Sequence, residues 1–217
     1  MQAQLQAALT TSPISISIQP ATAQGLVQTT PVNRSEGDIS HRADLARQTY
    51  GYTGTGVKVC VLSDGVNSLA ALQASGDLPG VIVVPGQAGN GNEGAAMLEI
   101  VHDLAPGAQL FYATAFGGIV SFANNIKTLR FTYRCDIIVD DVSYFAETPF
   151  QVGQTPGVVS TSNGGIVTGA VNEVVADGAL YFSSAGNSGD QDDGASGVWE
   201  GDYADGGTSA AGALTPS

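Results

Sequence analysis

The stretch VKVCVLSDGV at residues 57–66 decides the fold. Its first seven residues form an apolar run rich in Val, which is the pattern of a parallel strand buried on both faces. The run ends directly in Ser63-Asp64-Gly65, so a carboxylate stands at the carboxyl end of the strand. Because ligands bind at that edge of open parallel sheets, Asp64 is the first candidate for a functional residue.

Apolar runs and helical patterns alternate through most of the chain. Further strands are predicted at 81–85, 108–115, 135–145 and 179–186, and helices at 35–51, 93–104, 121–130 and 165–178. In the helix at 93–104, Met97, Ile100, Val101 and Leu104 are expected to form the apolar face. The alternation predicts an α/β fold with a three-layer, open and mostly parallel sheet and helices on both faces.

Composition limits the classes of function. The chain of 217 residues carries 7 Lys and Arg against 20 Asp and Glu, a formal net charge of −13. So acidic a chain is a poor partner for nucleic acid or an anionic membrane surface. No apolar run is long enough for a membrane span. Residues 1–35, rich in Gln, Thr, Ser and Pro, are interpreted as a leader or linker without the features of a signal peptide, and 36–217 as one domain.

Two more polar residues stand at predicted element boundaries. Glu93 opens the helix at 93–104, and Asn187 follows the strand at 179–186. Each also has an ordinary structural explanation, since the helix dipole favours Glu in a first turn and Asn-Ser-Gly is a turn signal. A dinucleotide-binding enzyme is disfavoured, because its Gly-rich loop follows the first strand, whereas Gly54 and Gly56 precede it.

Together these segments resemble the subtilase family of serine peptidases. GTGVKVCVLSDGV resembles the strand that carries the family's Asp, and NEGAAMLEIVHDLAPGAQL the segment in which a His-Gly pair opens a helix. CDIIVDDVSYF resembles the strand that lines the substrate cleft, and YFSSAGNSG the strand that ends in the oxyanion-hole Asn. The resemblance covers about residues 51–190. Asp64, Glu93 and Asn187 follow one another at intervals of 29 and 94 residues, against about 32 and 91 in subtilisin.

The chain departs from the family at the position of the base, where Glu93 replaces His. A carboxyl group with an ordinary pKa of about 4.3 is a poor base at neutral pH. The related acid-acting sedolisins have Glu at this place, but they pair it with an Asp one helical turn later, where this chain has Met97, and have Asp in place of Asn187. We therefore expect Asp64 to be the partner of Glu93, with one proton shared between the two carboxyl groups.

The family's nucleophilic serine is not found at its expected interval. In subtilisin it lies about 66 residues after the oxyanion-hole Asn, which corresponds here to a position beyond residue 217. Gly207-Thr208-Ser209-Ala210-Ala211 resembles the family's G-T-S-M-A motif, but Ser209 follows Asn187 by only 22 residues and is interpreted as a loop serine. We expect a truncated peptidase domain, incomplete at its C-terminus and inactive by itself.

The resemblance implies a hydrolase that cleaves peptide or protein substrates by serine attack. Asp64 and Glu93 would handle the proton, Asn187 would form the oxyanion hole, and the segment around Ser143 would bind substrate. It also implies an extracellular or cell-surface protein that is part of a larger multidomain chain. The alternative is a catalytically inactive, protease-like binding or adhesion module of a secreted protein.

Other reactive side chains receive structural interpretations. His102 is expected on the opposite side of its helix from Glu93, at the helix end, and His41 on the surface. Cys60 and Cys135 are expected to be buried free thiols, with a disulfide as the less favoured alternative. No cofactor is predicted with certainty. The acidic loop at 190–205 could bind calcium, although a solvated loop is favoured because the spacing matches no EF-hand.

Overall fold

The computed structural model describes residues 31–144, 165–184 and 186–187. The predictions for Ser209, for the loop at 190–205 and for residues 1–30 of the leader therefore lie outside the described residues. The strands are β1 (Lys58–Ser63), β2 (Val81–Val83), β3 (Gln109–Thr114), β4 (Ile137–Asp140) and β5 (Leu180–Ser183). The helices are α1 (Glu36–Ser40), α2 (Ala43–Tyr50), α3 (Leu69–Ser75), α4 (Glu93–Leu104), α5 (Ile119–Phe131) and α6 (Ile166–Ala176).

The five strands form one parallel sheet in the order β2-β3-β1-β4-β5. The apolar run at 57–63 forms β1, the central strand of the sheet. Within it, Val61 is paired with Tyr112 of β3 on one side and with Val139 of β4 on the other. One face of the sheet packs against α3 and α4, and the other against α5 and α6. The predicted three-layer α/β fold is confirmed, and α3, which the sequence pattern did not indicate, adds to the first face.

Alternation along the strands divides the core into two halves. Val59 and Val61 of β1 face α4, whereas Cys60 and Leu62 face α5 and α6. Because every interior strand contributes to both halves, most of its residues are buried, as the Val-rich pattern predicts. Among the described residues, no helix is long and apolar enough to cross a membrane.

The bounds predicted for α4 are confirmed, and its predicted apolar face is confirmed in part, since Met97 and Val101 are partly buried against the core. Ile100, however, is 49% exposed, and the fully buried positions include Ala95, Leu98 and His102. The reason is close packing: a β-carbon at Gly94 would overlap the ring of Tyr112, so the helix approaches the sheet along its small residues. A pattern that counts large apolar side chains does not detect the contribution of Gly94 and Ala95 to the buried face. His102 is fully buried near the helix end, and His41 is exposed as expected.

The expectation of free thiols is also wrong, because Cys60 and Cys135 form a disulfide. Both residues are fully buried, and their Cα atoms are 6.0 Å apart. Cys60 lies in β1 and Cys135 just before β4, so the bridge joins two neighbouring strands across 75 residues of chain. Only the pairing of β1 with β4, a tertiary feature, brings the two cysteines together.

The predicted helix at 35–51 is divided into α1 and α2. The break falls at Arg42, whose φ of 57° lies in the left-handed region, and α2 ends at Gly51 as expected. Both helices contact the C-terminal end of α4. The last residues of the predicted leader already contact the domain. Ser35 N donates a hydrogen bond to Asp103 Oδ2 at 2.5 Å. Asn33 Nδ2 donates one to Asp77 Oδ1 at 2.8 Å.

Candidate active site

The four predicted site residues lie at the carboxyl edge of the sheet. Asp64 directly follows β1, Ser143 follows β4, and Asn187 follows β5. Glu93 is the first residue of α4, which packs against β1 and β3. Since β1, β4 and β5 are consecutive neighbours, their ends form one continuous rim.

Asp64 connects the end of β1 to the beginning of α4. Its Oδ1 accepts hydrogen bonds from the backbone N–H groups of Gly65 and Gly94, the latter at 3.1 Å. Gly91 packs so closely against this carboxylate that a β-carbon there would overlap it. An anionic side chain beside the first turn of a helix is also favoured by the helix dipole. The carboxylate of Asp64 therefore holds the N-terminus of α4 against the end of β1.

The carboxyl group of Glu93 lies among other acidic groups. Its pKa is raised first by a hydrogen bond with Asp141, then by burial, and then by charge repulsion from Asp141 and Asp64. The hydroxyl group of Ser63, a fully buried residue at the end of β1, lowers the pKa of Glu93. The predicted neighbour Asp64 thus acts on Glu93, but the largest influence comes from Asp141, which the sequence interpretation did not single out.

Asp141 lies at the carboxyl end of β4. Asp140, the last residue of the strand, is on the face that carries Ile138, and Asp141 directly follows it. Backbone N–H of Asp141 also donates to Leu62 O at 3.4 Å, which continues the pairing of β1 with β4. Two consecutive Asp residues at the end of a buried strand were a sequence signal for acidic groups at this edge of the sheet.

Asp140 joins β4 to β5 through its side chain. It is 4% exposed, and it accepts hydrogen bonds from Tyr181 Oη at 2.6 Å and from Ser183 Oγ at 2.8 Å. Burial raises the pKa of Asp140, while the two hydroxyl groups lower it. Burial also raises the pKa of Tyr181 well above its ordinary value. The network fixes the distance between the strands that carry Ser143 and Asn187.

A pocket of about 420 Å³ opens between these strand ends and α4. Asp141 and Asn187 line it, together with Met97 of α4 and Phe182 of β5. Ser143 lies beside the same rim, since a β-carbon at Gly186 would be 3.8 Å from Ser143 Oγ. The part of the chain that the structure describes contains no group of three or more His, Cys, Asp or Glu placed to hold a metal ion.

The arrangement suits proton transfer beside a bound ligand. A carboxyl group whose pKa is raised accepts a proton more readily than an ordinary carboxylate. Asn187 contributes an amide to the same rim, and amide N–H groups are suitable donors to a developing oxyanion. Comparisons of the chain with protein-family models and with curated proteins found no match.

Proposed function

We propose that this chain belongs to a subtilisin-like serine endopeptidase domain in which Glu93 replaces the usual histidine base. The observation that carries the proposal is the position of Glu93 beside Asp141, because Asp141 raises the pKa of Glu93 and lines the same pocket as Asn187. A raised pKa answers the objection that an ordinary carboxylate is too weak a base. The site would therefore work best in weak acid.

The proposed reaction is acyl transfer to a serine hydroxyl, followed by hydrolysis. Glu93 removes the hydroxyl proton, the serine oxygen attacks the peptide carbonyl carbon, and the carbonyl oxygen becomes an oxyanion that the Asn187 amide stabilises. The segment around Ser143 binds the substrate backbone, while one substrate side chain enters the pocket beside Phe182 and Met97. The substrate class is an extended peptide or an unfolded protein.

The buried disulfide supports a proposal for the compartment. Disulfides persist in oxidising environments and are rare where thiols are kept reduced. The bridge between Cys60 and Cys135 therefore favours an extracellular or cell-surface location. That the chain is part of a larger multidomain protein is proposed on the family resemblance alone.

The test is hydrolysis of an unfolded protein by the full-length gene product between pH 3 and pH 8. We expect activity with a maximum below pH 7, and we expect Asn187→Ala to lower kcat by about 10²- to 10³-fold. The matched control is Asn124→Ala, which removes an exposed Asn from α5 and should leave kcat unchanged. Absence of turnover at every pH would contradict the proposal.

An inactive binding module is the second candidate, and one observation favours it. Phe182 of β5 lines the pocket and is 55% exposed, and Leu180 of the same strand is 58% exposed, so apolar surface is available to a partner. A module of this kind would bind peptides without cleaving them. Peptide binding that Phe182→Ser weakens, in a full-length protein without turnover, would establish this alternative.

A further inference from the structure

We propose that the pocket at the carboxyl edge of the sheet accepts a cationic side chain, so that a substrate presents Arg or Lys there. This specificity rests on the proposed function, in which one substrate side chain enters the pocket. It names the class of that side chain, which the proposed reaction leaves open. Three features carry it: the acidic groups of the pocket, the location of the basic residues in the chain, and the apolar walls.

Two carboxyl groups from the end of β4 line the pocket. They belong to Asp140, which is 4% exposed, and to Asp141, which is partly buried. Asp140 accepts hydrogen bonds from the hydroxyl groups of Tyr181 and Ser183, but these groups are neutral. A buried carboxylate without a cation costs free energy. Burial accordingly raises the pKa of Asp140, and a cation beside it would favour its ionised form.

No basic side chain of the described residues lines this pocket. All seven Lys and Arg residues stand at or before Arg134, so residues 135–217 contain none. Four form ion pairs with acids elsewhere: Arg34, Arg47, Lys127 and Arg130. The other three lie between α1 and α2 or at the amino edge of the sheet: Arg42, Lys58 and Arg134. The counterion of the pocket is therefore expected from a bound molecule.

The walls of the pocket suit the stem of a long basic side chain. Met97 of α4, Val139 of β4 and Phe182 of β5 line it, and its volume is about 420 Å³. The methylene groups of Lys or Arg cover apolar surface while the charged end binds acids. Phe182 is 55% exposed, so its ring is available for stacking with a guanidinium group. A neutral apolar side chain would contact the same walls but leave the carboxyl groups without a counterion.

The test compares two peptides that differ in charge but hardly in shape. NMR titration at pH 7 and low salt measures the binding of a capped Ala-Ala-Arg peptide and of a capped Ala-Ala-citrulline peptide to the 217-residue chain. Citrulline replaces the guanidinium group by a neutral urea group of the same size. We expect the Arg peptide to bind about tenfold more tightly, because hydrogen bonds between charged groups are stronger than those between neutral ones.

Replacement of the acids should remove this preference. Asp140→Asn and Asp141→Asn should each lower the ratio of the two affinities by about threefold or more, while binding of the citrulline peptide changes little. Asp136→Asn is the matched control, since it changes the net charge equally and Asp136 is exposed at the opposite end of β4. The control should keep the full preference for the Arg peptide.

Equal affinities for the two peptides, binding of neither, or a preference that neither Asp140→Asn nor Asp141→Asn lowers would overturn the inference. Should Asp140→Asn fail to fold, because it alters the contacts with Tyr181 and Ser183, Asp141→Asn decides alone. In the full-length protein, kcat/KM should favour the Arg substrate over the citrulline substrate. Turnover without that preference would end the inference and leave the proposed function. Selective binding without turnover would end the proposed function and leave the specificity of the pocket.

Discussion

The two ends of α4 use acidic side chains in opposite ways. Near its C-terminal end, Asp38 is completely buried and forms ion pairs with Arg34 and Arg47. Arg47 Nη1 and Nη2 bind its two oxygens at 2.7 and 2.9 Å, and Nη1 also donates to Leu104 O at 2.8 Å. At the N-terminal end, Glu93 faces other acids.

The difference separates a structural use of charge from a functional one. A guanidinium group that binds a carboxylate in two places, and the last carbonyl of a helix as well, satisfies charges that would otherwise destabilise the fold. At the other end, neighbouring acids raise the pKa of Glu93 instead, and sites of function commonly retain such unfavourable local interactions. Hence the Asp38 cluster should contribute to stability, and the Glu93 cluster should contribute to chemistry.

Replacement of Glu93 is the strongest test of the functional end. In the full-length protein, Glu93→Gln should remove nearly all turnover, about 10³-fold or more, because the amide cannot accept the serine proton. Peptide binding near Ser143 should remain. A pH–rate profile measures the effect, and Glu99→Gln on the same helix is the control. Full activity in Glu93→Gln would show that Glu93 is only a residue favoured by the helix dipole.

Removal of the disulfide tests how much the link between β1 and the start of β4 stabilises the sheet against which α4 packs. Opening a covalent loop of 75 residues should lower the free energy of unfolding by about 4 kcal/mol on the chain-entropy model. Chemical denaturation of Cys60→Ala/Cys135→Ala measures this loss, with reduced wild type as the second reference. Thiol titration of denatured, unreduced wild type should find no free thiol. Two reactive thiols there would contradict the bridge.

Replacement of Asp38 tests the structural end. Asp38→Asn should lower the free energy of unfolding by about 3 kcal/mol, because it leaves two guanidinium groups without their buried partner. Glu36→Gln, which changes an exposed acid of the same helix α1, should change stability only slightly. Urea denaturation at neutral pH compares the two variants. Equal stabilities would mean that the ion pairs of Asp38 contribute nothing.

Much of the fold could be predicted from the sequence because the parallel strands are apolar and the helices alternate with them. β1 and α4 were located within a residue by that pattern. The carboxyl-edge position of Asp64 and Glu93 followed from it too. These features are local, so a stretch of sequence contains the information that determines them.

The remaining features depend on contacts between distant segments. The bridge from Cys60 to Cys135 needs the pairing of β1 with β4. The influence of Asp141 on Glu93 joins the end of β4 to the start of α4, which are 48 residues apart in the chain. The buried face of α4 depends on how closely Gly94 approaches Tyr112. None of these is visible in a window of neighbouring residues.

The smallest effect concerns the stability of the Glu93 end as a function of pH. The pKa of Glu93 is raised above its ordinary value of 4.5, so between that value and its folded pKa the native state binds more protons than the unfolded state. Stability from this group is complete below about pH 4.5 and is lost as the pH rises through the folded pKa. Glu93→Gln cannot ionise, so it should match wild type in acid and exceed it at pH 7.

Melting temperatures of the 217-residue chain between pH 4 and pH 7 measure this difference. The raised pKa of Asp140 produces a loss of the same sign, but it is present in both proteins and cancels in the comparison. Glu36→Gln serves as the control, since Glu36 is exposed and far from the acidic rim. The melting temperature of Glu93→Gln should exceed that of wild type by more at pH 7 than at pH 4. If this difference instead narrows or reverses toward pH 7, the acids at this end of α4 do not destabilise one another. The contrast with the Asp38 end would then be lost.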